Sequence, residues 1–121
     1  MTAAKYLTSW FVLMMLVCWP MQSFAHVHLE KSVPDTGSVL TSSPTKVELW
    51  FSGKVSGEWS KIQVTDASGK RVDTKKVSNS DDPKHLSVDL EALSAGEHKV
   101  LWNVISGDGH RIKGSFSFTL E

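Results

Sequence analysis

Short runs of alternating apolar and polar residues, each closed by turn-forming residues, constrain this chain more than any other feature. KVELWFS (46–52) places Val47, Leu49 and Phe51 on one face, and KIQVTD (61–66) places Ile62 and Val64 together. HLSVDL (85–90) aligns Leu86, Val88 and Leu90, and RIKGSFSFTL (111–120) aligns Ile112, Phe116, Phe118 and Leu120. A period of two marks half-buried strands. GEHKVLWNVIS (96–106) is apolar on both faces, as a central strand is. The breaks hold Pro34-Asp35-Thr36-Gly37, Ser43-Pro44, Ser52-Gly53, Asp82-Pro83 and Asp108-Gly109, all of which favour turns. No segment has a helical period, although EALSAGEH (91–98) has room for one short turn, and the polar stretch 73–85 reads as an exposed, mobile loop. About seven strands at this spacing predict an all-β fold, an Ig-like antiparallel Greek-key β-sandwich.

The first 25 residues do not share this pattern. Lys5 is their only charge, an apolar run WFVLMMLVCW fills 10–19, and Ser23-Phe24-Ala25 has small residues where a signal peptidase cuts. The run is shorter than the ~20 residues of a membrane span. Residues 1–25 are therefore expected to be a secretory signal peptide and 26–121 a single exported β-sandwich domain. Lipid attachment at Cys18 is disfavoured by the bulky Val17 before it. The domain then has no cysteine and no methionine, since the one cysteine and all four methionines precede residue 26. With no disulfide to help, a hydrophobic core must hold it, and about 100 residues suffice for one. Of 13 basic and 13 acidic side chains only Lys5 leaves with the leader. This balance argues against a nucleic-acid partner, and a monomer is expected.

All five histidines lie in the domain: His26, His28, His85, His98 and His110. Cleavage after Ala25 gives His26 a free α-amine beside its imidazole. The two nitrogens can chelate one ion, and a second imidazole completes three nitrogens in a T, which suits tetragonal Cu(II). His110, in the turn string SGDGH (106–110), is the natural second donor. Asp108 then either supplies an oxygen ligand or orients an imidazole. His28 is the rival, because an imidazole at the third position can bind Cu(II) through two deprotonated backbone amides. If 26–31 is a strand, its ladder already uses those amides, and alternation puts His26 and His28 on the same face; His28 is then a neighbour of the site. His85 and His98 read as ordinary strand residues. Trp102 is the expected core tryptophan, Trp50 is out of phase with its strand, and Glu58-Trp59 falls in an expected loop with no role. No G-x-S-x-G, H-E-x-x-H or phosphate-binding glycine loop is present.

HVHLEKSVPDTGSVL (26–40), SPTKVELWFSGKV (43–55) and LSAGEHKVLWNVISGDGHRIKGSFSFTL (93–120) together resemble the CopC-type copper-resistance proteins, especially the short YobA-like members. The likeness covers nearly all of 26–121. It implies a periplasmic protein that carries or sequesters one Cu(II) in a histidine brace, with His26, Asp108 and His110 on the matching positions. It also implies a CopD-like inner-membrane copper protein as partner, and no enzymatic activity. Two departures stand out: His98 replaces a family tyrosine, and Lys54 stands where an acidic residue is common. The lack of methionine excludes the methionine-rich Cu(I) site of some members. Two other readings remain open at this point. One is a small copper-dependent monooxygenase, since such enzymes also use an N-terminal histidine brace; the other is an exported Ig-like interaction domain without metal.

Overall fold

A computed structural model describes Cys18 and residues 26–121; the signal-peptide expectation therefore lies outside the described residues, apart from an exposed Cys18. The strands are β1 (Leu29–Val33), β2 (Val39–Leu40), β3 (Lys46–Phe51), β4 (Val55–Thr65), β5 (Asp73–Asn79), β6 (His85–Leu90), β7 (Gly96–Ser106) and β8 (Arg111–Leu120). They form two four-stranded sheets, ordered β1-β3-β6-β5 and β2-β8-β7-β4. All pairings are antiparallel except β2 with β8. Among the described residues only β5–β6 and β7–β8 are hairpins; every other connection passes between the sheets, as a Greek key requires.

The inward residues of the alternating runs meet between the sheets. Val47, Leu49 and Phe51 from β3 and Leu86 and Val88 from β6 face Ile62, Val64, Val100, Val104, Phe116 and Phe118 from the other sheet. Burial of this set is the main stabilising term for a domain with no disulfide. Trp102 packs against the cluster, half-buried, with its ring edge-on to Phe51 at 5.4 Å. Its cross-strand partner is Gly114, and the indole fills the space that any β-carbon at 114 would need. Trp50 points outward, as its phase predicts, and lies between the His85 ring at 4.6 Å and the Lys31 ammonium at 4.8 Å.

The described residues hold eight strands, in keeping with the expected number of about seven, the short one being β2. Three other expectations need correction. The first strand begins at Leu29 and not at His26. β4 begins at Val55, so Glu58 and Trp59 lie within it, where the register with β7 slips between Ser56 and Lys61. The stretch 73–79 is an edge strand and not a loop. Only Val77 of β5 packs on the core, so an apolar period could not reveal it. Polar, lysine-bearing edges are the usual guard against edge-to-edge pairing. Its hidden anchor is Asp73, whose side chain is fully buried.

Candidate metal site

One end of the sandwich gathers the residues singled out for metal. The β3–β4 turn, Ser52–Lys54, is its hub. On one side, the His28 amide donates to Ser52 Oγ (3.0 Å) and the Ser52 amide to the His28 carbonyl (2.8 Å). Val27 lies on Gly53, close enough that a β-carbon at 53 would meet its methyl at 2.8 Å. Glycine there is what lets the amino-terminal segment approach. On the other side the Gly107 amide donates to the Lys54 carbonyl (2.8 Å). The β7–β8 turn and the segment 26–28 therefore flank the same three residues. The β5–β6 turn joins them, its Pro83 and Lys84 carbonyls accepting the amides of Val55 and Phe51.

The β7–β8 turn is built around a carboxylate. Gly109 has φ 86°, the left-handed conformation that glycine adopts without strain. Its amide donates to the Ser106 carbonyl at 2.9 Å and closes the turn. Asp108 Oδ1 accepts from the Ser106 hydroxyl and from the His110 amide (3.2 Å), and Oδ2 is 2.8 Å from His110 Nδ1. A hydrogen on Nδ1 donates to that oxygen and leaves Nε2 with the lone pair. The imidazole, well exposed, then presents one nitrogen outward. The Ser106 hydroxyl first, and His110 second, hold the Asp108 carboxyl at about 2, below the ordinary 3.8. It is thus ionised throughout the range in which an imidazole can be neutral.

A folded-state pKa below the unfolded one means that this carboxylate favours the fold above pH 3.8, an advantage lost as pH falls toward about 2. Ser106→Ala removes the leading cause. The Asp108 carboxyl is expected to titrate closer to 3.8 in that variant, read by its carbon chemical shift; an unmoved titration would show that the hydroxyl does not set it.

Asp108 and His110 are thus brought together as expected. His26 and His28 reach the same end but not the same cluster: among the described residues no group of three or more His, Cys, Asp or Glu is arranged around one point. In the 121-residue chain the nitrogen of His26 is a peptide nitrogen, and His26 precedes the first strand. His26 and His28 are both exposed with Val27 half-buried between them, so the expected alternation holds without a ladder. His28 Nδ1 is 3.3 Å from the His26 carbonyl, and the His28 amide is held by Ser52 rather than by a strand. The rival amide-binding mode would have to break that bond.

The remaining histidines stand outside this cluster. His85 has both nitrogens engaged, with Ser80 Oγ at 2.9 Å and Glu48 Oε1 at 3.2 Å. His98 is fully buried and stacked on Phe118 at 5.3 Å, with Nδ1 on the Gly96 carbonyl at 3.0 Å. A side chain enclosed in the core is no extra surface ligand. Ser52 and Ser106 touch these candidate residues, and sequence reasoning passed over both. Ser106 had a signal, as the serine two residues before the turn aspartate; Ser52 had none.

The chain is similar to known copper proteins in sequence and in fold. A family model, the CopC domain, matches residues 29–121. The copper transport protein CutJ of Bacillus subtilis is 36% identical over 92% of this chain, but the chain spans only 21% of that protein's length. The protein YobA of Escherichia coli is 32% identical, with 81% of each chain covered. The crystal structure of CopC from Methylosinus trichosporium OB3b superposes with a TM-score of 0.75 at 32% identity, covering 79% of this chain and 94% of that one.

Proposed function

This chain belongs to the CopC family, whose relatives are named for copper resistance and transport, and we propose that it is a non-enzymatic carrier of one Cu(II) in the periplasm. The proposed form is the chain processed after Ala25. Its ligands are the α-amine and imidazole of His26 and the imidazole of His110. The observation that carries the reading is the Asp108–His110 pair. A carboxylate 2.8 Å from Nδ1 leaves Nε2 as the donor nitrogen, on a turn braced against the same residues as the amino-terminal segment.

The chain's own residues do the following work. Asp108 fixes the tautomer of His110 and adds a full negative charge beside the site, whether or not an oxygen joins the ion. Ser106 and the His110 amide keep that charge ionised. Ser52, through both backbone groups of His28, holds the amino-terminal segment beside the turn, so that His26 needs little ordering to meet the ion. The donors are borderline and hard, which favours Cu(II) over Cu(I), and no sulfur is present in 26–121. Among the described residues no helix is long and apolar enough to cross a membrane. A copper protein of the inner membrane, of CopD type, is the proposed partner for transfer.

A competition titration of the processed protein against a Cu(II) chelator tests the carrier reading. One equivalent held well below micromolar Kd is expected, with no ascorbate-driven peroxide beyond that of the metal buffer. Weak, non-stoichiometric binding would favour a metal-free interaction domain, and peroxide production by the loaded protein would favour a small copper-dependent monooxygenase.

A further inference from the structure

The open side of the sandwich carries a feature that copper binding does not use. β4 ends one sheet and β5 ends the other, and a groove of about 440 Å³ runs between these two edges. Its charged lining is Lys61, Arg71, Lys75 and Lys76 against the single Glu58. Arg71 is already paired with the buried Asp73, Nε to Oδ2 at 2.9 Å. Three lysines and one glutamate remain, a net positive groove on a domain whose overall charge is close to zero.

Two further features mark the groove as built. Lys75 has φ 67°, the left-handed conformation that strains a side-chain-bearing residue. It is held there because its amide donates to Asp73 Oδ1 at 2.8 Å, so a buried carboxylate fixes a strained lysine at the groove. On β4, between the lining residues Glu58 and Ser60, Trp59 is 68% exposed where the ladder with β7 lapses, although it is not itself part of the groove lining. Cations along the end strand of a sheet suit docking of an extended acidic peptide, and this edge is open before Val64, whose carbonyl takes the Val72 amide.

We propose that this groove docks an extended acidic segment of a partner protein, its carboxylates meeting Lys61, Lys75 and Lys76 and its backbone running along the β4 edge. An anionic membrane surface fits less well. The three lysines are exposed but line a groove between two strand edges, and they fall short of the roughly 4–8 clustered cations with which proteins hold an anionic leaflet. The proposal does not depend on copper and is tested in the metal-free protein.

The probe is a fluorescein-labelled hexaglutamate peptide, followed by anisotropy at low salt, with amide chemical shifts mapped on the 26–121 protein. Saturable one-site binding is expected, with shifts concentrated in 57–61 and 71–77. Lys75→Gly with Lys76→Ala should weaken it by about tenfold or more. Glycine suits φ 67°, so this variant keeps the fold, which an unchanged or higher Tm verifies. Lys99→Ala with Lys113→Ala, on β7 and β8 of the sheet that β4 ends but outside the groove lining, removes the same charge and should leave binding unchanged. Equal losses in both pairs, scattered shifts or no binding would overturn the proposal. So would a groove-dependent uptake by phosphatidylglycerol vesicles without peptide binding, or a groove-dependent self-association in sedimentation.

Discussion

Adding one residue ahead of His26 in the processed protein is expected to weaken Cu(II) binding by about 100-fold or more, roughly 3 kcal/mol. The change is small in mass and leaves every side chain in place. It converts the amine of His26 into a peptide nitrogen, so the three carbons that link the two donors on one residue no longer close a chelate ring. The second donor of a chelate binds at high effective concentration, and losing it forfeits that gain. His110 and Asp108 would remain, 2.8 Å apart, as a pair with one metal-facing nitrogen. The 121-residue chain is itself such an extended form, and its residues 26–28 make no donor cluster with 108–110. The fold should not notice the addition, since Val27 and His28 keep their contacts with Gly53 and Ser52. Chelator competition on the two forms gives the ratio. An unchanged affinity would mean that the amine is no ligand.

The largest expected loss of stability lies far from that turn, at Asp73. Its carboxylate accepts the Val64 amide (2.8 Å), the Lys75 amide (2.8 Å) and Arg71 Nε (2.9 Å to Oδ2). Through these it ties β5 to β4 across the two sheets. Asp73→Ala leaves a buried amide without a partner, strands the Arg71 guanidinium and removes the support for the backbone of Lys75. Unsatisfied buried donors cost about 1–3 kcal/mol each; Arg71 is partly exposed and solvent recovers some of its share. A total of about 3 kcal/mol is expected, or a Tm lower by about 15 °C for a domain of this size. Burial pushes the Asp73 carboxyl up, but the bonds from Arg71 and from the Val64 and Lys75 amides outweigh it, so the group stays below its ordinary 3.8. Its stabilising effect is complete above that value and is lost as pH falls through the lowered one. Urea unfolding at neutral pH and below pH 3.8 should therefore show the wild type and Asp73→Ala converging in acid. A loss under about 1 kcal/mol at neutral pH would show that the network does not bind the sheets together.

The sandwich was legible wherever one face of a strand is buried. β6, β7 and β8 match the sequence runs residue for residue, because inward Leu86, Val100 and Phe118 recur at every second position. β5 was not legible, since its anchor is one buried acid whose partners, Val64 and Arg71, lie outside the strand. β2 has only two residues and no period to read. At the site, Asp108 and His110 could be read from SGDGH because a two-residue spacing across a turn fixes their approach locally. The link between that turn and the amino terminus could not. It rests on backbone hydrogen bonds and on one glycine, Gly53, whose value appears only when Val27 is laid upon it.

The central claim is that copper sits between His26 and His110 at the processed amino terminus. Cu(II) electron paramagnetic resonance at one equivalent, on the processed protein beside His110→Ala and His28→Ala, tests it most directly. A tetragonal spectrum that changes in His110→Ala and persists in His28→Ala is the expected result. A spectrum altered only by His28→Ala would place the ion on the amino-terminal tripeptide and contradict the brace.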